Sequence, residues 1–270
     1  MSGKMLQIPA GAGENLNVYH SAPDSGGRHP AIVLIHEIWG LEKQIKSVAD
    51  RLSEHGYAVF APHLYSRKEF EVLTAENIEK AMKPLFSLPE NKRSDEASIM
   101  NLYNNLPENE KTIVMKVVSQ IFMNREKMEQ NMMSDLSMLV DYAGKLDYID
   151  RKKIASMGFC MGGGLSFQLA ATGKVPSAVV FYGANPKPVE SVANISGSVL
   201  GLYAGNDPRT NSGLPALVEN MVKYGKDFEL KVYRGCSHAF FNDLRPTYNK
   251  EAAADSWDRV LRFLDKNIKR

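Results

Sequence analysis

The sequence predicts an α/β fold: a mostly parallel central sheet flanked by helices, in a single domain over residues 1–270. Three observations carry this. Short, nearly continuous apolar runs alternate with segments whose apolar residues recur at helical spacing. Glycines close several of those helical segments. The composition, 44% hydrophobic and 24% charged, is that of a soluble globular chain able to bury a core without metals or disulfides.

Residues 31–37 (AIVLIHE) read as a strand buried on both faces, where the in-out alternation of a half-exposed strand is lost. A helix is expected over 42–54, with Ile45, Val48, Ala49 and Leu52 at helical spacing and Gly56 as its stop. Residues 57–62 (YAVFAP) are the next strand. Further strands are expected at 153–159, 177–182, 198–203 and 228–233. Helices are expected at 161–172, closed by Gly173, and at 214–224, ended by Gly225. A terminal amphipathic helix over 252–268 carries Trp257, Val260, Leu261 and Leu264.

The alternation lapses between about 67 and 125, where Pro84, Pro89 and Pro107 divide the chain into short helical pieces. Met82, Met100, Met115 and Met123 fall here, and a helix over 126–144 with Met128, Met132, Met133 and Met138 follows. The flexible thioether suits irregular core filling. This insertion follows the C-terminal end of a strand, the edge at which α/β sheets bind ligands, so a lid near the site is expected.

Charge and cysteine usage exclude several classes. The net charge is +2, and the densest basic run, Arg151-Lys152-Lys153, is expected to be a solvated turn ahead of a strand, so no nucleic-acid partner is expected. No apolar run is long enough for a bilayer, and residues 1–12 lack the pattern of a signal peptide. With only Cys160 and Cys236, and no CxxC pair, neither a disulfide framework nor a metal or other cofactor is called for. A cytoplasmic setting is the expectation, and it suits a free thiol. Nothing in the sequence specifies an oligomeric state.

The chemistry centres on Gly158-Phe159-Cys160-Met161-Gly162, a G-x-C-x-G run between an expected strand and helix. This is a nucleophile elbow with cysteine in the usual serine position. The backbone N–H of Met161 would face a developing oxyanion, helped by the positive end of the helix. Asp207 follows one later strand and His238 the next. Nucleophile, acid and histidine in that order match an α/β-hydrolase, with histidine moving protons and the carboxylate fixing its tautomer. Cys236 is read as packing. Glu37 ends the first long strand in His36-Glu37-Ile38-Trp39-Gly40, and the Ile38 N–H is the candidate second oxyanion donor. His36 is read as a strand-end or supporting residue.

His36-Glu37-Ile38-Trp39-Gly40, Gly158-Phe159-Cys160-Met161-Gly162-Gly163, Gly205-Asn206-Asp207 and His238-Ala239-Phe240 together resemble the dienelactone hydrolase family of carboxymethylenebutenolidases. The resemblance implies Cys160 as nucleophile, His238 as base, Asp207 as its orienter, and Ile38 and Met161 as oxyanion donors. It further implies that Glu37 contacts the resting thiol and helps generate the thiolate when substrate arrives. Asn242 is a departure, because it stands where family members place an arginine that grips a substrate carboxylate. Arg67 and Arg245 are the candidate replacements, and Trp39 and Asn242 are further candidate substrate contacts. Three readings stay open: a hydrolase of small lactones or activated esters, a broad carboxylesterase, and a non-catalytic binding protein on the same scaffold.

Overall fold

The computed structural model describes residues 3–89, 92 and 95–269. Among the described residues, eight strands form one sheet in the order β1-β2-β4-β3-β5-β6-β7-β8. They are β1 (Lys4–Pro9), β2 (Asn15–Ser21), β3 (His29–Ile35), β4 (Ala58–Pro62), β5 (Ile149–Phe159), β6 (Ser177–Phe181), β7 (Ser198–Asn206) and β8 (Asp227–Ser237). From β4 to β8 all neighbours are parallel; β1 and β2 join as antiparallel strands at one edge.

Helix α1 (Lys43–Glu54) links β3 to β4, and α6 (Met161–Ala171) links β5 to β6. Beyond β7 come α7 (Pro208–Asn211) and α8 (Leu214–Lys223), and α9 (Lys250–Leu264) closes the chain, continuing as a wider turn over Asp265–Lys269. The helices divide between the two faces, as parallel strands require. Along β3, Ala31, Val33 and Ile35 join one core with Leu165, Phe167 and Leu217. Ile32 and Leu34 join the other, with Ile45, Leu52, Trp257 and Phe263. The strand is buried on both sides because helices cover both.

The insertion comprises α2 (Ala75–Ser87), α3 (Glu96–Asn104) and α4 (Glu108–Val118), followed by α5 (Arg125–Ala143). Residues 90, 91, 93 and 94, which fall within the expected lid, lie outside the described residues. Thr74 caps α2 by accepting the Asn77 N–H, and Asp95 caps α3 by accepting the Ser98 N–H. Met82, Met128 and Met132 are buried, whereas Met100 and Met123 face solvent.

Three local expectations need correction. Pro84 does not divide the insertion; it lies inside α2. Its missing N–H costs one bond to the carbonyl of Lys80, an exposed residue where water can serve instead. The run Arg151-Lys152-Lys153 is strand, not turn, since β5 begins at Ile149 beside His29. The antiparallel pair β1 and β2 was not expected, for its exposed outer strand has no continuous apolar run to mark it.

Candidate active site

Cys160 stands between β5 and α6 at φ 54 and ψ −116, a conformation that L residues rarely adopt. Close packing behind the turn holds it there. A Cβ on Gly158 would lie 2.0 Å from the Gly162 carbonyl oxygen, and one on Gly162 would lie 2.4 Å from the carbonyl oxygens of Ile35 and His36. Two bare backbones therefore nest against each other and against the end of β3. The Cys160 N–H is tied to the Phe181 carbonyl at 3.0 Å, and the thiol residue remains partly exposed.

The other two triad candidates converge from neighbouring strand ends. Asp207 follows β7 and caps α7, accepting the Thr210 N–H through Oδ1. Its Oδ2 accepts from His238 Nδ1 at 2.5 Å, just past β8. Burial opposes the Asp207 carboxylate, but the His238 and Thr210 donors outweigh it and hold its pKa below the usual value. Burial likewise opposes the His238 imidazolium. Electrostatic interaction with the Cys160 sulfur, the hydrogen bonds the ring donates to Asp207 and to the sulfur, and the Asp207 charge more than offset that, and hold its pKa well above the ordinary 6.5. Sulfur, imidazole and carboxylate thus lie close enough to influence one another.

Glu37 is buried just past β3. Its Oε1 accepts from the Tyr182 hydroxyl at 3.0 Å and its Oε2 from the Asn242 amide at 2.7 Å. Burial pushes its pKa up, against the pull of Asn242, His238, Tyr182 and Arg245. The Ile38 N–H lies in the turn that follows, and the Met161 N–H is the first of α6. Both stand outside the helical and sheet hydrogen-bond ladders, as oxyanion donors must.

A model of the dienelactone hydrolase family matches residues 16–268. The chain belongs to that family. It is 47% identical, over 87% of its length and 88% of the relative's, to a provisionally named carboxymethylenebutenolidase of Saccharolobus solfataricus. It is 31% identical, over 90% of its length and 74% of the relative's, to one from Methylorubrum extorquens. A solved structure from Klebsiella pneumoniae, provisionally named dienelactone hydrolase, superposes with a TM-score of 0.68 at 24% identity, with 97% of each chain covered. That likeness speaks for the α/β-hydrolase fold alone.

In this dienelactone hydrolase family member, both candidate arginines are already engaged. Arg245 stacks over the Trp39 ring, 4.0 Å from its centroid, and is paired with Glu42. Trp39 in turn lies 5.9 Å from the ring of Phe86 on α2, which brings the insertion to the loop that carries Ile38. Arg67 binds Asp135 of α5 through both Nε and a terminal nitrogen, with Glu14 at 3.7 Å. Asp135 is fully buried and Arg67 is 11% exposed. Arg67→Ala should lower stability by about 3–5 kcal/mol in urea unfolding, because a buried carboxylate loses its counterion. Its kcat/KM should stay within about twofold; a large rise in KM for anionic substrates alone would instead assign Arg67 to substrate.

Two tyrosines escaped the sequence reading. Tyr182 is buried at φ 38, bonded to Glu37, with its ring 4.9 Å from that of His238. Tyr65 is buried and donates to the Ile38 carbonyl at 2.9 Å. The signal available for Tyr182 was its place at the end of an apolar strand run, before Gly183. Tyr65 carries no such signal.

Proposed function

We propose that the protein hydrolyses small lactones or activated carboxylic esters through a Cys160–His238–Asp207 triad and a thioester acyl-enzyme. The observation that carries this reading is the strained Cys160 turn with the His238–Asp207 pair beside it on one sheet edge. The Cys160 thiol gives its proton to His238 as the sulfur attacks the carbonyl carbon, forming a C–S bond while the carbonyl electron pair moves to oxygen, within reach of the Ile38 and Met161 N–H groups. Collapse breaks the carbonyl–oxygen bond, and His238 gives its proton to the leaving oxygen. Water then attacks the thioester as His238 takes its proton; the acid departs and the sulfur regains its electron pair.

A thiolate is itself a good leaving group, so its adduct with a simple alkyl ester tends to revert. Lactones or esters whose leaving oxygen is stabilised escape that reversal. The family resemblance further gives Glu37 a part in activating the thiol. The resemblance puts that carboxylate against the resting thiol, whereas here its two oxygens are bonded to Tyr182 and Asn242.

A second reading, a carboxylesterase of broad specificity, is favoured by one observation. Asn242 offers Glu37 a neutral amide, and the two candidate arginines pair with Glu42 and Asp135 rather than standing free. The test is a substrate panel of a p-nitrophenyl ester, a dienelactone and a neutral lactone, with the acyl-enzyme trapped in acid and weighed by mass spectrometry. A mass increase at Cys160 and preference for the dienelactone support the first reading. A preference for the neutral ester supports the second. Turnover with no adduct on Cys160, or turnover of none of the three, would sink the cysteine mechanism.

A further inference from the structure

Ile38 stands in a turn closed by the Gly40 N–H on the Glu37 carbonyl at 3.2 Å. The same carbonyl accepts a second hydrogen bond, from His36 Nδ1 at 2.5 Å. In a trans peptide, the C=O of one residue and the N–H of the next point in opposite directions. Two donors that fix the Glu37 oxygen therefore also fix the direction of the Ile38 N–H.

The His36 ring is itself held. Its Nε2 accepts the Leu64 N–H at 3.1 Å, which leaves the ring proton on Nδ1 to be donated to Glu37. Burial brings the His36 pKa down to about 3, so the ring stays neutral and does not exchange this tautomer near neutral pH. The next peptide unit is anchored in the same way. The Ile38 carbonyl accepts the Tyr65 hydroxyl at 2.9 Å, and that hydroxyl also lies 3.9 Å from the Met161 sulfur. His36 and Tyr65 are buried with ring centroids 5.1 Å apart. Leu64 and Tyr65 both follow β4, the strand paired with β3.

We infer that His36 and Tyr65 are positioning residues for the oxyanion site: they hold the carbonyls of the two peptide units flanking Ile38 and so aim its N–H. The inference rests on the reading of Cys160 as nucleophile. Neither side chain touches substrate; both act through the backbone of the loop. The segment leaving β4 is thus the rear support of a donor carried on the loop leaving β3. A residue that merely tied two strand ends together would change stability, and would change every reaction at the sulfur alike.

The test compares two reactions of the same sulfur. Acylation by p-nitrophenyl acetate builds an oxyanion; alkylation by iodoacetamide does not. In His36→Ala the acylation rate constant should fall about 100-fold, and in Tyr65→Phe about fivefold, with KM little changed. His36→Asn, whose amide nitrogen can stand where Nδ1 stands, should recover about tenfold of the His36→Ala loss. Alkylation should stay within about threefold of wild type in all three. Should His36→Ala not fold, the other two variants carry the same comparison. Acylation and alkylation falling together, or acylation untouched in the folded variants, would overturn the inference. Wild type that is alkylated at Cys160 but never acylated overturns the hydrolase reading, and this inference with it.

Discussion

Cys160→Ala should lower kcat by about four to six orders of magnitude, because the proposed triad would act as a unit and its loss would leave only binding and oxyanion contacts. Asp207→Asn should cost about 10⁴-fold, since an amide can hold the wrong tautomer of His238 at the 2.5 Å contact. Stopped-flow hydrolysis of a p-nitrophenyl ester reads both. The same alanine variant makes a prediction about the imidazole. Interaction with the Cys160 sulfur is the leading influence that raises the His238 pKa above 6.5. Removing the sulfur removes that interaction, so the imidazolium loses support and the pKa must fall. Ring-proton NMR titration of His238 in both proteins gives the comparison. In wild type, the stability gained from this raised pKa is fully present below about 6.5 and is lost as pH rises through the folded value. A His238 pKa unchanged by Cys160→Ala would mean that sulfur and ring do not communicate.

Gly158→Ala should be the most damaging small substitution in the chain. Its Cβ would fall 2.0 Å from the Gly162 oxygen and 2.3 Å from the Gly162 carbonyl carbon, both backbone atoms that cannot rotate away. Relief requires α6 to move from β5, and with it Cys160. A loss of at least about 4 kcal/mol is expected, beyond ordinary overpacking of side chains. Gly225→Ala is the internal comparison. A Cβ there meets nothing within 4 Å, and only the positive φ of 61 resists it. That change should cost about 1–2 kcal/mol. Urea unfolding midpoints with unchanged slopes would decide the matter, and equal losses at the two sites would contradict the packing argument.

Helix α2 shows where the insertion and the candidate site meet: Phe86 reaches the ring of Trp39, the neighbour of Ile38. The sequence could say that an insertion leaves the C-terminal edge of a strand. It could not say which of its residues turns inward, because the helical pieces carry apolar residues on more than one side. Pro84 shows a related limit. A proline's missing donor is fatal to a helix only if the opposing carbonyl is buried, and exposure is a property of the packed molecule.

Much of the chain was legible from local rules. Continuous apolar runs marked the parallel strands covered on both faces, and glycines marked helix ends. The G-x-C-x-G spacing marked the elbow, because only glycine permits backbones to approach so closely. The order of Cys160, Asp207 and His238 along the chain followed from which strand ends carry them. The antiparallel edge pair was missed, since an exposed outer strand has little apolar content to betray it.

Partnerships between distant side chains were decided only by the tertiary structure. Glu37 meets Tyr182 across 145 residues and Asn242 across 205, and Arg67 meets Asp135 across 68. Periodicity and covalent geometry act over a few residues, so they can be read from the chain directly. Which carboxylate faces which donor depends on strand crossovers and on the direction of each side chain at its strand end, and those are set only when the sheet closes its layers.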